Sequence, residues 1–177
     1  MLHMNNAKNP KIETNTRRGE NVLELFSGKT PATVNNFLVD IQSDHYNNSI
    51  SHRVAKDFII QGGAQDANLS GKSQRNLTAR EVSPVFKNRC GTIAAAQKLP
   101  GNNSATSQFF INLVDSPQLD FESNISPLNQ GFAVLAQIID GSEVIDKIRK
   151  VVTTDKRGFS TLSTTPVVIR LITRVGE

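Results

Sequence analysis

The order of strand-like runs and helical stretches is the feature that most limits what this chain can fold into. Short apolar or alternating runs bounded by polar turns predict strands at 11–14, 22–26, 58–61, 92–96, 108–113, 131–139 and 167–173. Helical spacing of apolar residues occurs twice, early after Thr30-Pro31 and late after Asp140-Gly141-Ser142. Strands that do not alternate with helices favour a mostly antiparallel closed sheet with helices over its ends.

The early helix has clear boundaries in the sequence. Thr30 is placed to cap its N-terminus, Pro31 suits the first helical position, and the pattern ends near Ser43. Residues 64–88 lack periodicity, which predicts a long surface loop with short strand pieces. Residues 1–10 are predicted to be a flexible tail, and residues 11–177 a single domain.

Composition excludes several classes of protein. With 177 residues and 37% hydrophobic content, the chain can bury a core without cross-links. Its single cysteine, Cys90, excludes an intrachain disulfide, and His3, His45 and His52 lack the spacing of metal ligands. These features argue against a metal site, and we expect no other cofactor either.

Charge and hydropathy bear on partners and location. The net charge is +4, but the Lys and Arg residues are scattered, which favours a solvated surface over a nucleic-acid face. No apolar run approaches the roughly 20 residues of a membrane helix, and residues 1–10 lack the apolar core of a signal peptide. The expected location is cytoplasmic, the alternative being a periplasmic or secreted protein whose signal peptide, absent from this chain, was removed.

Two segments contain the side chains that suggest chemistry. Residues 51–63 (SHRVAKDFIIQGG) place Arg53 before an apolar run that ends at Gln61, and residues 104–112 (SATSQFFIN) add Gln108 beside two phenylalanines. Together they predict an apolar pocket with one cation and two amides. Neither segment shows an acid–base pair or a nucleophile, so such a site suits a reaction that breaks no covalent bond.

Motifs across the chain resemble the cyclophilins, and bacterial members in particular. The matching motifs are TPATVNNF at 30–37, HRV at 52–54 with FIIQGG at 58–63, GTIAAA at 91–96, SATSQFFIN at 104–112, LD at 119–120 and GFAV at 131–134. Each is weak alone, but their order and spacing from about residue 12 to 175 are specific. The resemblance implies a closed eight-stranded antiparallel β-barrel capped by two α-helices, and peptidyl-prolyl cis–trans isomerase activity.

The resemblance also implies roles for individual residues. Arg53 corresponds to the catalytic arginine, Gln61 orients it or the substrate, and His52 is a supporting residue. The substrate-binding positions are Phe58, Ile59, Ala96, Gln97, Gln108, Phe110, Leu119 and Phe132. A permanently charged guanidinium suits a transition state in which the prolyl nitrogen regains its lone pair.

Several positions depart from the family pattern, chiefly Ser51, the pair Lys56-Asp57, and Gln118 at the rim. Gln118 stands where many members have tryptophan, so cyclosporin binding is expected to be weak. The implied partners are proline-containing peptides and unfolded or folding proteins. The protein is expected to be a monomer and to bind neither nucleic acid nor a membrane. The departures leave one alternative open, a non-catalytic proline-peptide-binding or chaperone module.

Overall fold

A computed structural model describes residues 9–73, 79–97 and 104–176 of the protein. Apart from Asn9 and Pro10, the predicted tail lies outside these ranges. The elements in chain order are β1 (Lys11–Thr16), β2 (Gly19–Leu25), α1 (Pro31–Gln42), β3 (Ser49–Ala55), β4 (Ile59–Asp66), β5 (Thr92–Gln97), β6 (Ala105–Asn112), β7 (Val134–Asp140), α2 (Ser142–Arg149), β8 (Thr153–Lys156), β9 (Phe159–Ser163) and β10 (Val168–Val175).

Eight of these strands form a closed barrel in the order β1-β10-β3-β4-β6-β5-β7-β2, and β8 and β9 form a separate hairpin. All neighbouring strands in the barrel are antiparallel. Helix α1 packs against β6 and β7, and α2 packs against β2 and β3. The predicted fold class, an eight-stranded antiparallel barrel with two helices, is therefore confirmed.

Four strands differ from the sequence-based prediction. Strands β3, β8 and β9 were not predicted, and β4 continues through Gly62 and Gly63, where the sequence suggested an end. Gly63 has φ +93°, and a Cβ there would lie 2.5 Å from the carbonyl oxygen of Ser107. Glycine thus lets β4 and β6 approach closely, and it continues the strand instead of ending it.

The N-terminus of α1 is capped by a different residue from the one predicted. Thr30 precedes the helix as expected, but its hydroxyl donates to the carbonyl oxygen of Val134 at 3.2 Å. The carboxylate of Glu81 instead accepts from the backbone N–H groups of Ala32, at 3.1 Å, and Thr33, at 2.7 Å. The long segment after β4 therefore supplies the cap, which local sequence around the helix could not indicate.

The barrel interior is filled by side chains, including Val34 and Phe37 from α1 and Ile145 and Ile148 from α2. The cavity within it measures only about 30 Å³, room for about one water molecule. A peptide cannot enter, so a substrate site has to lie on the outer surface.

Within the described ranges, no helix has the length and apolar character needed to cross a membrane.

Candidate active site

Arg53, Gln61 and Phe110 lie in one row across three neighbouring strands. Arg53 on β3 pairs with Gln61 on β4, and Gln61 pairs with Phe110 on β6. Directly opposed residues in an antiparallel sheet point to the same face. The next residue back, Phe109, packs in the barrel interior, whereas Phe110 belongs to a separate apolar cluster. The row therefore lies on the outer surface of the barrel.

A β-bulge turns Arg53 to that outer surface. The pairing moves from Ser51 with Gly62 to Arg53 with Gln61, so that two steps along β3 oppose one step along β4. Ser51 lines the interior cavity, and strict alternation would point Arg53 inward as well. The additional residue, His52, shifts the phase of the strand. Bulges beside active sites commonly re-aim a side chain in this way.

The apolar cluster around Phe110 brings together six of the predicted site residues. These are Phe58, Ile59, Ala96, Phe110, Leu119 and Phe132. The rings of Phe110 and Phe132 meet edge to face, with centroids 5.3 Å apart and planes at 85°. The cluster thus forms a half-buried apolar surface beside Arg53, of the kind that holds a small aliphatic ring.

The amide side chains border this surface. Gln61 Nε2 donates to Gln108 Oε1 at 3.0 Å, which leaves the Gln61 carbonyl oxygen available to a second donor. Gln108 precedes Phe110 by two residues on β6, so both point to the same face. Gln97, at the end of β5, donates from Nε2 to the carbonyl oxygen of Gly131 at 3.4 Å.

The guanidinium of Arg53 is an uncompensated charge within the described part of the chain. No carboxylate pairs with it there, and its buried Nε has no hydrogen-bond acceptor. The neighbouring His52 is buried, and desolvation, together with the charge of Arg53, lowers its pKa from 6.5 to about 4. His52 is therefore neutral near pH 7, with its ring 6.0 Å from that of Phe159 on the β8–β9 hairpin.

Two walls of the site come from loops, not strands. Leu119 ends a short 3₁₀ turn, Pro117–Leu119, and Phe132 precedes β7 instead of lying on a strand as predicted. The N–H of Phe132 donates to the carbonyl oxygen of Leu119 at 3.0 Å, which joins the two walls. Gln118, the predicted rim residue, is exposed beside Leu119.

Sequence analysis missed two further aromatic residues of the cluster. Phe26 and Phe86 are partly buried against it, and Lys29 Nζ lies 4.7 Å and 5.0 Å from their respective ring centroids. These residues follow β2 and precede β5, far apart in the chain and without a shared periodicity. No local signal in the sequence could have joined them.

The turn before Phe58 contains the pair Lys56-Asp57, one of the departures from the family pattern. Asp57 adopts φ 60°, and its carboxylate accepts from Arg149 Nη2 on α2 at 3.1 Å. This exposed ion pair contributes little to stability by itself.

Among the residues that the structure describes, no group of three His, Cys, Asp or Glu side chains could hold a metal ion.

Comparison with known proteins identifies the family. The family model for "Cyclophilin type peptidyl-prolyl cis-trans isomerase/CLD" matches residues 10–173. A peptidyl-prolyl cis-trans isomerase of Streptomyces antibioticus is 39% identical over 158 residues, which cover 89% of this chain and 94% of the relative. Peptidyl-prolyl cis-trans isomerase B of Escherichia coli is 39% identical over 142 residues, or 80% and 85% of the two chains.

Solved structures agree with these relatives. A crystal structure of a cyclophilin type peptidyl-prolyl cis-trans isomerase from Cryptosporidium parvum matches with a TM-score of 0.77 at 26% identity, covering 96% of this chain and 99% of that one. A structure of the same protein in the presence of the dipeptide Ala-Pro matches with a TM-score of 0.76 at 25% identity. The chain therefore belongs to the cyclophilins, and it is a peptidyl-prolyl cis–trans isomerase.

Proposed function

We propose that Arg53 accelerates rotation about X-Pro bonds by stabilising the twisted transition state of the peptide bond. The planar bond is held by resonance, with a rotation barrier of about 18–20 kcal/mol. Twisting removes the resonance and returns a lone pair to the prolyl nitrogen. A guanidinium N–H donates to that lone pair in the transition state and not in the planar ground state, so its binding energy lowers the barrier.

The observation that carries this proposal is the free guanidinium beside the apolar cluster. Within the described residues, Arg53 has no carboxylate partner, so its donors are available to a substrate. Arg53 pairs with Gln61 on the next strand, and Gln61 pairs with Phe110 on the strand after that. This row places the cation at the edge of the surface that receives the proline ring. The neutral His52 adds no competing charge.

The remaining site residues bind and orient the peptide. Phe58, Ile59, Phe110, Leu119 and Phe132 enclose the proline ring. The Gln61 carbonyl oxygen orients the guanidinium, and Gln108 holds Gln61 through their 3.0 Å hydrogen bond. The main chain of Ala96 and Gln97 pairs with the residue before proline.

The test is an NMR exchange measurement on a short X-Pro peptide. Arg53→Ala is expected to lower kcat by about a hundredfold or more, the typical effect of removing one donor to a transition state, while KM changes little. The matched control is Arg170→Ala, which removes an exposed arginine from β10 and leaves both constants unchanged. Equal kcat values for Arg53→Ala and the parent would refute the arginine mechanism.

The same measurement addresses the partners. Proline-containing segments of folding proteins are the proposed substrates of a monomeric enzyme, and cyclosporin is expected to bind weakly because Gln118 replaces an aromatic rim. Peptide binding by the parent without any exchange would instead indicate a non-catalytic peptide-binding module.

A further inference from the structure

Two buried asparagines connect the strands under the site to the loops that wall it. Asn112 ends β6 two residues after Phe110, pairs with Ile59 on β4, and has no exposed surface. Its Nδ2 donates to Asn88 Oδ1 at 3.1 Å and to Thr92 Oγ1 at 3.0 Å. Asn112 therefore belongs to the strands that form the floor of the site, and its side chain reaches Asn88.

Asn88, in turn, holds the main chain of the wall. Its side chain is 1% exposed, and its Nδ2 donates to the carbonyl oxygen of Leu119 at 2.9 Å. The N–H of Phe132 donates to the same oxygen at 3.0 Å. The backbone N–H of Asn88 donates to Asp120 Oδ1 at 2.6 Å. One carbonyl group thus links Asn88 to both wall residues, Leu119 and Phe132.

The direction of these hydrogen bonds determines which way the Asn88 amide points. Asn112 presents N–H groups, so the oxygen of the Asn88 amide has to face Asn112, and its nitrogen then faces Leu119. A flipped Asn88 amide would set its oxygen against the carbonyl oxygen of Leu119 and against Asp120 Oδ1. Such opposed acceptors in a buried site are unfavourable.

We infer that Asn112 is a positioning residue for substrate binding, acting through Asn88 to hold the Leu119 and Phe132 wall at a fixed distance from Phe110. This inference rests on the proposed function, in which those side chains enclose the proline ring. The ring occupies the pocket in both the planar and the twisted states. A loosened wall therefore weakens both states equally, which raises KM and leaves kcat unchanged.

The test uses Asn112→Asp, which has nearly the same shape. An ionised carboxylate has no hydrogen to donate, whereas a protonated carboxyl restores a single donor, its O–H group. Burial opposes ionisation of the introduced carboxyl, and the negative charge of the nearby Asp120 opposes it as well. Lys87, whose Nζ lies 3.6 Å from Asp120, offsets part of that charge. The titration is therefore followed from about pH 5.5 to about pH 9.

The expected result is a KM that rises about fivefold with pH in Asn112→Asp, while kcat stays within about twofold of the parent. The parent itself is expected to show no such rise, because His52, whose pKa is lowered to about 4, stays neutral over this range. In methyl-labelled protein, the Leu119 methyl resonances are expected to move along the same pH curve. Asn112→Leu lacks a donor at every pH, so its KM is expected to be raised throughout.

The matched control is Ser49→Ala, which also removes one buried hydrogen bond, from Ser49 Oγ to the carbonyl oxygen of Tyr46 at 2.6 Å. It is expected to lower stability without changing KM or the Leu119 resonances. A pH-independent KM near the parent's in Asn112→Asp, or a normal KM in Asn112→Leu, overturns the inference. Failure of the arginine mechanism is distinguishable, since it appears as an unchanged kcat in Arg53→Ala.

Discussion

Replacing His52 by glutamine tests how burial next to Arg53 affects the stability of the fold. His52 is 8% exposed, and desolvation, with a further contribution from Arg53, lowers its pKa from 6.5 to about 4. The unfolded chain therefore binds a proton on this residue more readily than the folded protein does. By linkage, the contribution of the neutral His52 to the free energy of unfolding is fully present above pH 6.5. It is lost as the pH drops from 6.5 towards 4.

The size of the effect follows from the two pKa values. A difference of one pKa unit corresponds to about 1.4 kcal/mol. Between the unfolded and folded values of His52, the loss amounts to about 2 kcal/mol at about pH 5 and about 3 kcal/mol at about pH 4. This loss is a large share of the stability of a small domain, about 5–15 kcal/mol.

Urea unfolding of the parent and of His52→Gln, followed by circular dichroism over the same pH series, measures this contribution. All ionisable groups other than His52 are common to both proteins, so their contributions cancel in the difference between the two free energies of unfolding. The parent is expected to lose stability relative to the variant as the pH falls. Parallel curves for the two proteins would show that His52 is not buried in a neutral form, and the reasoning about its environment would be wrong.

Two further predictions concern the fold. Glu81→Ala removes the acceptor of the Ala32 and Thr33 amides, so the free energy of unfolding is expected to fall by about 1–2 kcal/mol; an unchanged urea midpoint would contradict the cap. Gly63→Ala places a Cβ 2.5 Å from the Ser107 carbonyl oxygen at φ +93°, so it is expected to destabilise by more than about 1 kcal/mol, and a thermal midpoint at or above the parent's would refute that close approach.

Most elements of the fold were visible in local sequence. Helix α1 spans Pro31–Gln42 and α2 begins at Ser142, close to the predicted positions, because apolar spacing and the Thr-Pro and Asp-Gly-Ser signals act within a few residues. Strand β3 was missed because its apolar alternation is interrupted at His52 by the bulge. The cap from Glu81 was missed because Glu81 lies 48 residues away from Thr33 in the chain.

The candidate site was also predicted only in part. The sequence motifs identified Arg53, Gln61 and Phe110, and the structure places these residues in one row. The position of Phe132 was wrong, since it lies in a loop and not on a strand. Phe26 and Phe86 had no signal at all, because only the closed barrel brings their segments to the same cluster.

By itself, the sequence determined the family, the two helices and the residue types of an apolar pocket with one cation, since those follow from motifs and short-range spacing. Only the tertiary structure decided which face Arg53 occupies, because the bulge is defined by the pairing of β3 with β4. It also decided how the wall at Leu119 is held, through Asn88 and Asn112. Both outcomes depend on hydrogen bonds between segments distant in the chain, which local periodicity does not contain.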